Sequence, residues 1–361
     1  MKNLVIRPLT KNDRSGIIDL LATRDGASHD SAEQRWVLLD WMAFNNPSAE
    51  NEATYYIAEY KGKIVAHLGR MPADFSFRGK DFRGYFIHDL FVHPETRKMG
   101  LGFFVSIELY DRANADSGSF CCLVWTTPLN LQLQRKSGYL ETYAAGLVRP
   151  LNANDFVKHP LGRKVLNPVA RLLSRSTAGI VGSIRSSGVQ TEMVKRCDKR
   201  FDTLWQSLKA RVNICSSKSA AVLNWKYVDR PYARETIIAA SRNGQFTGFV
   251  VLTTSPEKRG DKVGIVVDLL ADPEDRGTLA SLCQSAVRHF HSLGLGSARA
   301  VMSDPRFAAA FRRQLFLSTK NARRVVMFGN IDRSPLPADI LTNTELWNLT
   351  RGESDGYMLS I

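Results

Sequence analysis

One order of elements occurs twice in this 361-residue chain, and that repetition constrains the fold more than any single motif. In each half two β-rich runs join across a tight turn. A further strand then stops at a proline, an apolar-periodic helix follows, and a strand, a short helix and a last strand complete the set. The first half opens with a strand at Leu4–Pro8 and helical stretches near Asp13–Thr23 and Ser31–Phe44. Its hairpin joins Thr54–Tyr60 to Ile64–Leu68 through Lys61-Gly62-Lys63, and its proline-ended strand is Gly84–Val92. A helix over about Gly100–Ala115, a strand at Phe120–Trp125, a helix at Leu129–Lys136 and a closing strand at Tyr139–Val148 follow.

The second half offers Gln190–Arg196, helices at Phe201–Leu208 and Ser219–Lys226, and a hairpin of Glu235–Ser241 and Phe246–Thr254 turning at Asn243-Gly244-Gln245. Val263–Leu270, a helix over Gly277–Leu293, Ala298–Met302, Pro305–Leu315 and Ala322–Gly329 complete it. A period of about 180 residues predicts an internal duplication. The expected class is α/β, two tandem domains each with a mixed, mostly antiparallel sheet flanked by helices. The expected boundaries are 1–155 for the first domain, 156–190 for a linker and 191–361 for the second.

Hydrophobic residues make up 44% and charged residues 23%, which excludes a disordered or collagen-like chain. No apolar run reaches about 18 residues, and the N-terminus lacks the pattern of a secretory signal, so a cytoplasmic location is expected. The five cysteines form no CxxC pair, and free buried thiols are expected rather than zinc or disulfides. His289 and His291, two apart in a helical stretch, fall on different faces, and no metal is expected. The formal charge of +14 favours polyanions: nucleic acid, anionic lipid or a polyphosphate ligand. A nucleic-acid module would carry a basic helix or an aromatic-studded basic strand face, and neither is found. The local excess lies in Phe156–Gln190, with six Lys or Arg and no acid. That segment reads as a solvated linker or, alternatively, as a basic face making peripheral contact with an anionic membrane.

The most informative stretch is LFVHPETRKMGLGFFVSIEL, Leu90–Leu109. A strand stops at Pro94, and Arg97-Lys98-Met99-Gly100-Leu101-Gly102 leads straight into a helix. Glycines there let backbone approach a ligand, the first helical N–H groups lack partners, and Arg97 and Lys98 add charge. A pyrophosphate fits this cradle. The pattern is neither a Walker loop nor a Rossmann fingerprint. Arg-x-x-Gly-x-Gly after a strand ending in Val-x-Pro resembles motif A of the GNAT acyl-CoA-dependent N-acyltransferases. LQRKSGY resembles a later element of that family through Leu133, Lys136, Gly138 and Tyr139. The resemblance spans Leu4–Arg149 and implies a GNAT domain that takes acyl-CoA as co-substrate and acylates an amine, without metal. It further implies that Leu90, Phe91 and Val92 offer backbone N–H groups from a bulged strand, next to the cradle Arg97–Gly102. A tyrosine of the family's later element protonates the departing thiolate; here Gln134 stands at that position, which leaves Tyr139 or water for the task.

The second half resembles the same fold with a damaged cradle. Asp272-Pro273-Glu274-Asp275-Arg276-Gly277 is shorter, has one glycine, and sets three carboxylates where a pyrophosphate would lie. Its expected role is to complete the substrate pocket. Asn224-Trp225-Lys226-Tyr227 and the tail Trp347–Tyr357 resemble segments of tandem GNAT proteins of surface-polysaccharide assembly, which implies a nucleotide-linked amino sugar as acceptor. A free amine, an antibiotic or a protein amine is the alternative, and a non-catalytic scaffold or nucleic-acid binder the rival class. His88, four residues before Val92, stands where family members place a base, and an imidazole titrating near pH 6.5 suits the task. Asp89 either orients it or serves as base itself, with His67 and then His93 behind them. Phe86, Phe91, Phe103 and Phe104 are expected in the core. Trp125 lines the path of the pantetheine arm or is simply packed.

Overall fold

The computed structural model describes residues 3–24, 28–124, 128–151, 188–256, 262–318 and 324–353. Trp125 and residues 156–187 of the expected linker lie outside these residues, while Val189 and Gln190 already belong to a strand. The first half runs β1 (Leu4–Pro8), α1 (Arg14–Ala22), α2 (His29–Phe44), β2 (Tyr55–Tyr60), β3 (Lys63–Phe77) and β4 (Lys80–Val92). It continues through α3 (Pro94–Lys98), α4 (Gly102–Asp116), β5 (Cys121–Val124), α5 (Pro128–Lys136), β6 (Leu140–Ala144) and β7 (Gly146–Pro150). The second half runs β8 (Val189–Val194), α6 (Lys199–Leu208), β9 (Cys215–Ser216), α7 (Ala220–Tyr227), β10 (Thr236–Arg242), β11 (Gln245–Pro256) and β12 (Lys262–Ala271). It continues with α8 (Arg276–Ser292), β13 (Ser297–Val301), α9 (Pro305–Arg313), β14 (Leu317–Ser318), β15 (Arg324–Gly329) and α10 (Ala338–Thr342). The expected class holds: two mixed sheets, each flanked by helices.

Three hairpins turn on pairs with positive φ, the twist that matches flanking strands. Lys61-Gly62 (51°, 75°) and Asn243-Gly244 (51°, 79°) are the two turns read from sequence. Arg78-Gly79 (51°, 79°) is a third, and it makes β3 and β4 far longer than their sequence runs indicated.

Sheet order corrects one element. Tyr139–Val148 is two strands, not one, because the chain leaves the first sheet at Ala145. The first sheet is ordered β1-β2-β3-β4-β5-β15-β6, with β9 added on β3; the second is β14-β7-β13-β12-β11-β10-β8. Strand β7 of the first half therefore lies between β14 and β13, and β15 of the second half lies between β5 and β6. The halves exchange a strand, so the sheets do not divide where the sequence pattern divides. One buried apolar cluster accordingly holds residues of both halves. Trp347 stands in it, its ring 5.6 Å from Phe75, 5.8 Å from Phe120 and 5.1 Å from Phe328, with its indole N–H donated to the Leu341 carbonyl at 2.8 Å. All five cysteines are free and buried. No described helix is long and apolar enough to cross a membrane.

Candidate active site

Strand β4 positions the site by losing one neighbour and bulging against the other. Its parallel ladder with β5 consists of Tyr85 opposite Cys121 and Phe86 opposite Cys122. Beyond Phe86 the two strands part. On the other side, His88 pairs with Gly69 and Phe91 with His67, so Asp89 and Leu90 together face the single residue Leu68. That is a β-bulge, and Asp89 takes a left-handed φ of 50° to make it. The bulge re-aims the backbone of Leu90, Phe91 and Val92 along the opening between β4 and β5.

Pro94 then starts α3, and the His93 ring caps it, Nδ1 accepting from the Glu95 N–H at 3.1 Å. His93 is thus a helix cap. After Arg97, Lys98 and Met99 the chain reverses at Gly100, whose φ of 74° favours glycine. The Leu101 N–H is used internally, bonding the Thr96 carbonyl at 3.1 Å. The next three, of Gly102, Phe103 and Phe104, have no backbone acceptor among the described residues. No side chain caps α4, and its first turn holds no acid. At Gly102 a Cβ would sit 2.9 Å from Arg97 Cγ and 3.2 Å from Arg97 Cα, so only glycine lets α3 pack this close to the start of α4. Arg97 and Lys98 are exposed beside these donors, Lys98 sharing its charge with Glu95 at 2.7 Å. Leu90–Val92 and Arg97–Gly102 therefore form one edge and one cradle, and the donor set suits a pyrophosphate.

Phe103 and Phe104 are a correction: they are 46% and 39% exposed at the first turn of α4. Lys136 of α5 stands over the Phe103 ring at 4.9 Å. Phe86 is buried as expected, and half-buried Phe91 stacks under the Arg24 guanidinium at 4.8 Å.

His88 and Asp89 are both buried, at 5% and 7% exposure. The His88 ring lies flat over Gly69, where any side chain would collide with it, and its Nδ1 is 3.4 Å from the Tyr55 hydroxyl. The Asp89 carboxylate lies 3.9 Å from Arg24 and 3.6 Å from His67 Nδ1. Burial, with Arg24 adding to it, pushes the His67 pKa down to about 3, so His67 is neutral and a feeble base at physiological pH. Sequence reasoning missed Arg24 and Tyr55, since a helix end and a strand tyrosine carry no pattern.

On the thiol side, Gln134 is buried and donates its amide to the Tyr110 hydroxyl at 3.2 Å. Tyr139 donates to Asn114 Oδ1 at 2.7 Å, and burial holds its hydroxyl well above the usual tyrosine value. The Tyr139 proton is thus engaged by Asn114.

The second repeat reproduces the geometry with its openings filled. Strand β12 carries the same bulge: Asp268 pairs with Val251 and Val266 with Leu252, leaving Val267 over. Asp275 caps α8, accepting from the Gly277 and Thr278 N–H groups at 3.1 Å each while bonded to Arg242 at 2.8 Å. A carboxylate thus already occupies the place of an anion. The tail covers the bulge, with Gly352 against the Tyr227 hydroxyl and the Val267 carbonyl. Thr350 bonds Asp268 at 3.3 Å.

A family model described as an acetyltransferase (GNAT) domain matches residues 5–140. No curated protein matches the sequence. Among solved structures the chain is similar to a GCN5-related N-acetyltransferase from Kribbella flavida, with TM-score 0.58 and 15% identity over 90% of this chain and 70% of that one. A GCN5-related N-acetyltransferase from Anabaena variabilis gives TM-score 0.59 and 12% identity, covering 90% of this chain and 72% of that one. N-myristoyltransferase of Saccharomyces cerevisiae with bound myristoyl-CoA gives 0.56 and 13%, covering 91% of this chain and 82% of that one. At such identities the structural likeness defines the fold. Residues 5–140 thus match an acetyltransferase (GNAT) domain model within a chain whose fold is similar to that of these acyltransferases.

The two helix starts make opposite predictions. Gly102→Val should abolish acyl-CoA binding by forcing α3 away from α4, whereas Asp275→Asn should leave it unchanged. Calorimetry on the wild-type chain should return one site. A second site of similar affinity would sink the assignment of the cradle to the first repeat.

Proposed function

We propose that this protein transfers an acyl group, acetyl or a short hydroxyacyl, from CoA to the amino group of a small acceptor, most specifically a nucleotide-linked amino sugar. The reading rests above all on the uncapped start of α4 behind Gly100 and Gly102, set beside the parted edge of β4. The pyrophosphate lies on the Gly102–Phe104 N–H groups with Arg97 and Lys98 alongside. The thioester arm runs along Leu90–Val92, whose N–H groups meet the carbonyl oxygen as it gains charge. His88 takes the proton from the attacking amine, Tyr55 holds the ring in place, and Arg24 keeps the neighbouring Asp89 paired. The tetrahedral adduct collapses with loss of the CoA thiolate. Both substrates are anions, in keeping with the net charge of +14 and with a cytoplasmic setting.

A matrix of acyl-CoAs against nucleotide-linked amino sugars, free amino sugars, aminoglycosides and protein amines, read as released thiol, tests this. The expected result is turnover confined to one or two nucleotide-linked sugars. Turnover with a free amine or a protein alone would overturn the acceptor; no release with any amine would overturn the activity.

A further inference from the structure

Between the two repeats, on the His88 face of β4, lies a small, mainly apolar pocket of about 20 Å³. Asn46 and Ser48 from the chain after α2, Phe86 of β4, Ser217, and Trp225 and Lys226 of α7 line it. Phe86 is two residues before His88 on the same strand, so the pocket is one strand repeat from the proposed base. A pyranose ring spans about that distance, one two-residue repeat of a strand.

Asp74, bonded to Arg83 and Ser48, also lines it, and two of its donors lack close acceptors. Trp225 is 5% exposed, and its indole N–H has no hydrogen-bond partner among the described residues. Lys226 is equally buried and makes two long contacts, to the Gly352 carbonyl at 3.4 Å and to Glu353 at 3.5 Å. Full charge is not what the pocket lacks. Lys218 and Lys226 are balanced by Asp268 and Glu353 in one buried cluster, with Lys218 bonded at 2.7 Å and 2.8 Å to the two carboxylates. An anionic group here would bring uncompensated charge into a buried site, which is costly. A neutral oxygen would satisfy the idle donors without that cost. The volume suits one such group and little more.

We infer that this pocket is an acceptor subsite that takes a neutral hydroxyl of the substrate through the Trp225 N–H and Lys226. This deepens the N-acyltransferase reading and rests on it. The second repeat then acts in recognition: α7 presents the donors while the first repeat presents acyl-CoA and His88.

The probe is UDP-glucosamine, followed by the indole N–H resonance of Trp225 in 15N-labelled protein, assigned by its loss in Trp225→Phe. The expected result is a saturable shift of that resonance. Trp225→Phe should raise the KM for the sugar about 3–10-fold, the worth of one neutral hydrogen bond, with kcat and the KM for acyl-CoA unchanged. Deoxy analogues of the sugar should restore equality between wild type and variant when the hydroxyl that occupies the pocket is the one removed. A resonance that stays still at saturating sugar means that the pocket holds a buried water only, and overturns the inference. Equal KM values for wild type and Trp225→Phe overturn it as well. In either case continued thiol release with the same sugar leaves the N-acyltransferase reading standing, whereas loss of thiol release with every amine removes that reading while the resonance still reports on the pocket.

Discussion

His88→Ala lowers kcat by about 10²–10⁴-fold, the usual worth of a positioned general base, while the affinity for acyl-CoA hardly changes. The division follows from geometry: His88 packs between Gly69 and Tyr55, whereas the cradle lies beyond Pro94. The wild-type kcat profile should carry a pH limb that vanishes in the variant. Removing a buried ring leaves a cavity, so the purely structural outcome needs its own control. Tyr55→Phe keeps the packing and removes the hydroxyl that meets Nδ1. It should displace the pH limb with little change in melting temperature. Asp89→Asn separates the two candidates for the base. A kcat loss as large as that of His88→Ala would assign the proton to Asp89 or to the pair, whereas a smaller loss fits a carboxylate engaged by Arg24. A His88→Ala enzyme with more than about a third of wild-type kcat and an unchanged profile would refute the role of His88, since that loss lies far below the expected range.

The parts of the site that were legible in sequence are those where geometry restricts residue type. Gly100 and Gly102 stand out because one needs a left-handed φ and the other a close approach, and both requirements exclude side chains. Asp275 was legible as an intruder for the converse reason: a carboxylate in the first turn of a helix binds the donors that an anion would need. The exchange of β7 and β15 left no such mark. Arg324–Gly329 reads as a buried strand in whichever sheet receives it, since alternation encodes a face and not a partner. The turn at Arg78-Gly79 carried the same glycine signal as Lys61-Gly62 and was missed all the same. Phe103 and Phe104 misled in the opposite direction: two apolar residues at the start of an apolar-periodic helix imply a core, yet α4 begins outside it. The pocket at Trp225 and the ion cluster behind it combine positions 46, 218, 226, 268 and 353, separations at which local sequence pattern carries no information.

That cluster has the largest stability effect expected in the molecule. Lys218, buried completely, bridges Asp268 and Glu353, and Tyr227 and Ser216 complete the bonding at 2.8 Å each. Lys218→Met would leave two buried carboxylates with only Lys226, 3.5 Å from Glu353, to offset them. Breaking a buried pair in this way costs about 3–5 kcal/mol, read as a lowered urea midpoint. Burial by itself would raise the Glu353 pKa; the attraction of Lys218 and Lys226 overrides it and holds the carboxyl down at about 2, from an ordinary 4.5. A depressed pKa stabilises the fold above the unfolded value and loses that contribution as pH falls through the folded one. Wild-type stability should therefore fall between about pH 4.5 and 2. In Lys218→Met the carboxyls can take up protons early, so the gap between variant and wild type should narrow as pH drops through that window. A gap that stays constant down to pH 3 would mean that lost packing, not lost charge pairing, accounts for the effect. Because Glu353 belongs to the segment that covers the second bulge, and β15 of the same half lies inside the first sheet, the loss should lower one cooperative transition for the whole chain. Two separated transitions in the variant would show that the exchanged strands do not couple the repeats.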